Sequence, residues 1–272
     1  MPDDALEKFF GRDDNVLAVD PEWAVAHGAL LQALEAGRLR AATRGHDGVW
    51  RANTWVKRAI LLGFRRTDLT QVAGHGAQPF FDKPAYPVRQ FALADRVRLV
   101  PGGSSVRRGA FVAASVVVMP PAYVNVGAYV DAGTMVDSHV LVGSCAQIGK
   151  NVHLSAGAQI GGVLEPAHQN PVIVEDGAFI GALCGIFEGI VVRERAVLAA
   201  GVVLTAATVV HDLVHRRVRR GEIPAGAVVV PGCRPASGDY AATHGLQVSA
   251  PLIVKYRDAR TDVSTALESA LR

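Results

Sequence analysis

The chain predicts a mainly β fold, a parallel β-helix, on three observations. The first is a period. An aliphatic residue returns at every sixth position as Val112, Val118, Val124, Val130, Val136, Val142, Ile148, Leu154 and Ile160, then as Val174, Ile180, Ile186, Val192, Leu198, Leu204 and Val210. Six fits neither an amphipathic helix, at 3.6, nor one long strand, at 2; it is the repeat of a solenoid in which each hexad is a short strand plus a corner. The second is a small or aliphatic residue four positions after most of these, among them Val116, Ala122, Ala128, Ala158 and Cys184. The third is glycine between the hexads (Gly127, Gly133, Gly157, Gly177, Gly189, Gly201), where a corner needs positive φ.

Three hexads close one triangular coil of eighteen residues, so inward side chains stack at i, i+18. Val112, Val130 and Ile148 then form one column, and Val124, Val142 and Ile160 another, with rungs about 4.8 Å apart.

Before the repeat, residues 1–105 carry no hexads and are expected to form a mainly helical domain. The opening residues 1–10 are acidic and helix-like. Pro21 opens a helix through Leu34 that stops near Gly37. A second helix starts near Asn53, with Trp55, Ile60, Leu61 and Phe64 as its core face and Lys57, Arg58, Arg65 and Arg66 between them. Gly45 to Gly48 marks a turn, consistent with a small hairpin.

The coil is placed at 106–212. It breaks once, at 161–173, where fourteen residues separate Ile160 from Val174 and six would suffice. Eight residues therefore leave the coil. Such excursions gather on a binding face, and Gly161, Gly162 and Glu165 make this one a site candidate. Residues 213–272 are expected to cap the open rungs, with strands at 227–230 and 252–256 and a closing helix at 263–271.

The chain of 272 residues has net charge +3 with its basic residues dispersed, which argues against a nucleic-acid partner. The run Arg216–Arg220 is a solvated loop before it is a phosphate site. Nothing in the sequence suggests a membrane span or a leader, so a cytoplasmic protein is expected. Cys145, Cys184 and Cys233 have neither even number nor metal-ligand spacing, so no metal is expected. Cys145 and Cys184 are assigned to core packing. No P-loop, GxGxxG, HExxH or GxSxG motif is present, and His139 and His153 are the bases of the coil.

Longer runs narrow the reading. Met119 to Asp137 (MPPAYVNVGAYVDAGTMVD), Val142 to Ser155 (VGSCAQIGKNVHLS) and Gly161 to Pro166 (GGVLEP) closely resemble the tetrahydrodipicolinate N-succinyltransferase family. The likeness extends from Trp50 and Phe81-Asp82-Lys83 to Ile253-Val254-Lys255. It implies a left-handed parallel β-helix with a helical N-terminal domain and a small β-rich C-terminal domain, assembled as a homotrimer with sites between subunits. It also implies succinyl-CoA or another acyl-CoA as cosubstrate, a small dicarboxylate acceptor, and no permanently bound cofactor.

By the same resemblance Arg98 binds the acceptor, Asp137 is the active-site carboxylate, and Ser155, Gly161, Gly162, Glu165 and Lys255 serve the acyl-CoA. One run departs. Where the family has Gly-Ala-Arg-Ser-Glu-Val-Val-Glu-Gly, this chain has Gly181-Ala-Leu-Cys-Gly-Ile-Phe-Glu-Gly189. Leu183, Cys184 and Gly185 thus stand for the arginine, the serine and the catalytic glutamate, with Gly185 kept as an acceptor-site position. One cation and one anion are lost together, so the expected function is acyl transfer to tetrahydrodipicolinate or a close relative in a specialised pathway. Two alternatives stand beside it: the standard N-succinyl transfer of lysine synthesis, and a catalytically weak CoA-binding trimeric scaffold.

Overall fold

A computed structural model describes residues 1–72 and 79–258 of the chain. The hexads form the three faces of a parallel coil, two of six strands and one of ten. The columns have the registers that the eighteen-residue repeat demands: Val112 pairs Val130, which pairs Ile148; Val118 pairs Val136, which pairs Leu154; Val124 pairs Val142, which pairs Ile160. Each hexad strand from Phe111–Val112 to Val203–Leu204 buries its second residue in one continuous aliphatic core with no charged side chain in it.

Across the excursion the columns resume without slippage, Ile148 on Val174, Leu154 on Ile180 and Ile160 on Ile186. A one-residue slip would turn every inward side chain outward, which is why the added length has to leave the coil whole.

The coil also begins before the aliphatic count. Arg98–Leu99 pairs parallel with Val117–Val118, and Ser105–Val106 with Tyr123–Val124.

Its far end departs from the count. Val210 keeps the period yet leaves the coil, because the next neighbour of Val192 is Ile223. Thr205 and Thr208 close a turn on each other, the Thr205 N–H donating to Thr208 Oγ1 at 2.8 Å, in place of a corner. Val210–Asp212 then pairs antiparallel with Arg217–Arg219 and parallel with Leu252–Tyr256. Ala227–Val230 lies between Val197–Leu198 and Leu252–Tyr256, so the two expected C-terminal strands extend the ten-stranded face. The expected helix at 263–271 lies outside the described residues.

The buried Asp212 carboxylate holds this end together, accepting from Tyr256 Oη at 2.7 Å and meeting His215 Nδ1 at 3.0 Å and Arg219 Nε at 3.3 Å. Burial alone would raise its pKa. Hydrogen bonds from the His215 backbone, Tyr256, the His215 ring and Arg219 outweigh that and hold the group well below the usual carboxylate range.

The N-terminal domain has helices at Asp3–Phe10, Asp14–Val19, Trp23–Glu35 and Thr54–Arg66, and a hairpin of Ala42–Arg44 with Trp50–Ala52. The helix after Pro21 ends as expected: Gly37 takes φ 71°, and the Arg38 N–H returns to the Ala33 carbonyl.

In the helix Thr54–Arg66 the buried apolar positions are Val56, Ala59, Ile60, Leu62 and Gly63, with Trp55, Leu61 and Phe64 only half-buried. Lys57, one of the basic residues between the expected core positions, is 0% exposed. Its ammonium donates to the carbonyls of Pro166 and Gln169, so it is sealed between this helix and the excursion. Burial lowers its pKa, with Cys145 acting in the opposite direction.

Candidate active site

Register decides which site residues meet. Asp137 follows the inward Val136, and its successor one coil on is Ser155; the Asp137 N–H donates to Leu154 O and the Ser155 N–H to Ile180 O. The two positions therefore share one corner, one rung apart. Both are half-buried, and Asp137 Oδ1 accepts from the Ser138 N–H at 2.7 Å, while Oδ2 accepts no hydrogen bond among the described residues. His139, on the same corner, is exposed at φ 62°. His153 lies on the adjoining face, its ring stacked on Phe179 with centroids 4.9 Å apart.

Arg98 is exposed on the face that carries Val117 and Met135, two rungs before Met135. That is about 10 Å along the coil axis from the rung that leads into Asp137, within reach of one elongated ligand but not of one hydrogen bond. Gly185 belongs to the next face, paired with Gln159 and Val203, two rungs beyond the rung of Asp137. One chain therefore does not bring Asp137 and Gly185 into contact.

Gly161, Gly162, Val163, Glu165, Gln169, Phe187 and Glu188 line a cavity of about 380 Å3. The two glycines are explained by packing within the chain. A Cβ on Gly162 would stand 2.2 Å from the Ser144 backbone nitrogen, and one on Gly161 would stand 2.8 Å from the Phe187 ring. Glu165 is an exposed rim residue 3.6 Å from Arg65. Lys255 lies elsewhere, opposite Val228 at the end of the ten-stranded face, and a single chain does not unite it with the excursion.

Phe187 is the residue sequence reasoning passed over. A Cβ on Gly185 would meet its ring at 2.6 Å, so the ring occupies the space into which a side chain at 185 would project. The sequence signal was present: two positions after the missing glutamate, an aromatic ring stands where the family run has valine.

Cys184 is buried in the coil core and donates to the Ala199 carbonyl; burial pushes its thiol up to about 11, which makes it inert as a nucleophile. Cys145 is buried too, but it packs into the N-terminal domain's core and not into the coil, because it sits at a corner with φ 69°. Its thiol is pushed up to about 12 by burial. Among the described residues no group of three or more His, Cys, Asp or Glu is placed to hold a metal ion, and no helix is long and apolar enough to cross a membrane.

Residues 3–65 match the family model described as tetrahydrodipicolinate N-succinyltransferase N-terminal, and residues 171–206 match the hexapeptide repeat of succinyl-transferase. The chain is 45% identical over 249 residues to the 2,3,4,5-tetrahydropyridine-2,6-dicarboxylate N-succinyltransferase of Polynucleobacter asymbioticus, covering 90% of this chain and 88% of that one. It belongs to the tetrahydrodipicolinate N-succinyltransferase family.

The same enzyme from Bradyrhizobium diazoefficiens is 44% identical over 97% of this chain and 95% of its own, and that from Rhodopseudomonas palustris 42% identical over the whole of both. As a member of the tetrahydrodipicolinate N-succinyltransferase family, the chain is an acyl-CoA-dependent acyltransferase on a left-handed parallel β-helix. A crystal structure titled as a putative 2,3,4,5-tetrahydropyridine-2-carboxylate N-succinyltransferase from Campylobacter jejuni shares the fold, with a TM-score of 0.50 and 18% identity over 82% of this chain. The match spans 62% of that chain.

Proposed function

We propose that this chain transfers a succinyl group from succinyl-CoA to the amine of ring-opened tetrahydrodipicolinate, as a homotrimer of the cytoplasm. The observation that carries the reading is the corner pairing Asp137 with Ser155, in a chain 42–46% identical along most of its length to relatives named for that reaction. Those names give no support to a specialised pathway, so that expectation yields to the standard reaction.

Within this reading Asp137 Oδ2 takes the proton that the substrate ammonium must lose. The freed amine attacks the thioester carbonyl carbon, the C–N bond forms, the C–S bond breaks, and the departing CoA thiolate is protonated. Ser155, one rung along, is placed to orient the thioester, and Arg98 offers a guanidinium to a carboxylate of the acceptor. Gly161, Gly162, Glu165 and Lys255 are retained as acyl-CoA contacts contributed by more than one subunit, because one chain does not gather them. Gly185 would face the same substrate across a subunit boundary.

Asp137→Asn should lower turnover in a thiol-release assay with succinyl-CoA by about a hundredfold or more, the scale of losing a positioned base. Near-wild-type turnover in this variant would remove Asp137 from the mechanism.

Phe187 over Gly185 favours a second reading, transfer of a different short acyl group, since a ring replaces a charged side chain in that space. Mass spectrometry of products from a panel of acyl-CoAs decides between the two. A protein that binds CoA and releases no thiol with any of them would be a scaffold.

A further inference from the structure

A second cavity, of about 290 Å3, lies where the N-terminal hairpin meets the coil, on a different corner of the prism from Asp137. The N-terminal domain contributes Arg40, Arg44 and Trp50; the coil contributes Asp131, Asp176 and Glu194. In the wall Glu175 is 7% exposed and its charge is already answered within the protein. Trp50 Nε1 donates to it at 2.8 Å, Arg193 Nη1 at 3.1 Å and the Glu194 N–H at 3.2 Å. Arg44 lies 3.7 Å from the same carboxylate, and Arg193 also holds Glu222 at 3.0 Å. The lining itself carries two guanidiniums, Arg40 and Arg44, against four carboxylates, Asp131, Glu175, Asp176 and Glu194, so the vacant space favours a ligand with net positive charge.

The space is not uniformly acidic, however. Arg40 gives its Nε to Gln147 Oε1 at 2.9 Å and lays its guanidinium 3.6 Å from the centroid of the Tyr129 ring. Among the described residues no hydrogen bond engages its two terminal nitrogens, which present the planar fork that suits a carboxylate. In the same lining, the Glu194 carboxylate is exposed and accepts no hydrogen bond among the described residues.

A cationic fork facing surplus carboxylates between aromatic rings recognises a molecule with one carboxylate and more than one ammonium. We propose that this cavity binds a dibasic amino acid, its carboxylate on Arg40 and its distal ammonium between Asp176 and Glu194, with Trp50 flanking the methylenes. Trp50 also makes the site consequential. Its backbone carbonyl accepts from Asn170 Nδ2 at 3.0 Å, and Asn170 belongs to the excursion whose glycines line the 380 Å3 cavity. One residue therefore touches the amino-acid site with its ring and the excursion with its backbone, so occupancy of the first should steady the second.

The test is calorimetry of the full-length protein with L-lysine, beside L-norleucine, which lacks the second ammonium, and cadaverine, which lacks the carboxylate. L-lysine should bind saturably, each control at least about tenfold more weakly, and Glu194→Gln should weaken L-lysine by about tenfold, the scale of one charge-assisted hydrogen bond. Glu194 is exposed, so this variant does not put folding at stake. Amide exchange in residues 161–173 should slow when L-lysine is added. No saturable heat up to about 10 mM, or equal binding by L-norleucine or by Glu194→Gln protein, would overturn the site. Binding with unchanged exchange in the excursion would overturn its link to the loop. Neither readout depends on succinyl transfer, so failure here leaves the proposed reaction standing.

Discussion

The coil and the N-terminal domain bury apolar surface by opposite means. In the coil the columns are aliphatic throughout and stability is distributed over many equivalent rungs. In the N-terminal domain the packing closes around a few buried polar groups. His27 is 4% exposed, stacked on Trp23, with Nε2 3.1 Å from Tyr86 Oη. Tyr86 Oη in turn donates to the Ile60 carbonyl at 2.6 Å, so His27 Nε2 is the donor, and burial keeps the ring neutral at neutral pH. The difference teaches where each region is vulnerable: the coil to lost volume, the N-terminal domain to added volume and added charge.

The largest effect is expected from volume lost in the coil. Ile180 is 0% exposed, and Ile180→Ala should cost about 4 kcal/mol in urea unfolding, the scale for a core position whose backbone is held by rungs on both sides. A cost below about 1 kcal/mol would mean that the rungs collapse to refill the space.

Charge comes next. Burial first, and Arg108 second, lower the pKa of His27 to about 4. The unfolded chain takes up a proton as pH falls through about 6.5, whereas the folded one does not until about 4. Between those values the unfolded state binds more protons, so stability should fall with falling pH by about 3 kcal/mol over that window. His27→Gln, which keeps a donor for Tyr86, should flatten the urea midpoint across that range. An unchanged pH profile would assign the loss to other groups.

Added volume follows. Gly63 lies within the helix Thr54–Arg66, where glycine is unfavourable, yet a Cβ there would stand 2.1 Å from Tyr86 Oη and 2.8 Å from His27 Nε2. Gly63→Ala should destabilise by about 2 kcal/mol despite its better helix propensity. A stabilised variant would show that the Tyr86–His27 pair yields freely.

The smallest effect runs the other way. Leu183 is 73% exposed at φ 58°, a conformation costly for a side chain with a Cβ. Leu183→Gly should stabilise the coil by about 1 kcal/mol, read as a raised unfolding midpoint. Loss of stability would mean that its contact with Gly157 outweighs the backbone relief.

These contrasts also explain what was legible in advance. A period of six states the columns outright, and eighteen-residue arithmetic places Ser155 one coil after Asp137. Handedness is not in the period; it came with the family. The end of the coil was misjudged because Val210 satisfies the count, while the turn that ejects it depends on the hydroxyl of Thr208. Lys57, Trp50 and Phe187 were missed for a common reason. Each acts on a partner that no local pattern names, whether a carbonyl more than a hundred residues away, as for Lys57 and Pro166, or the empty side of a glycine.

The excursion at 161–173 leaves the columns on either side in register, so the coil is indifferent to how much chain passes between Ile160 and Ile173. Its anchors are specific: Lys57 grips the carbonyls of Pro166 and Gln169, and between them lie Ala167 and the exposed His168. That apex is a natural splice point for the coil: foreign sequence entering there would break one turn hydrogen bond, from the Gln169 N–H to the Pro166 carbonyl, and leave the prism undisturbed.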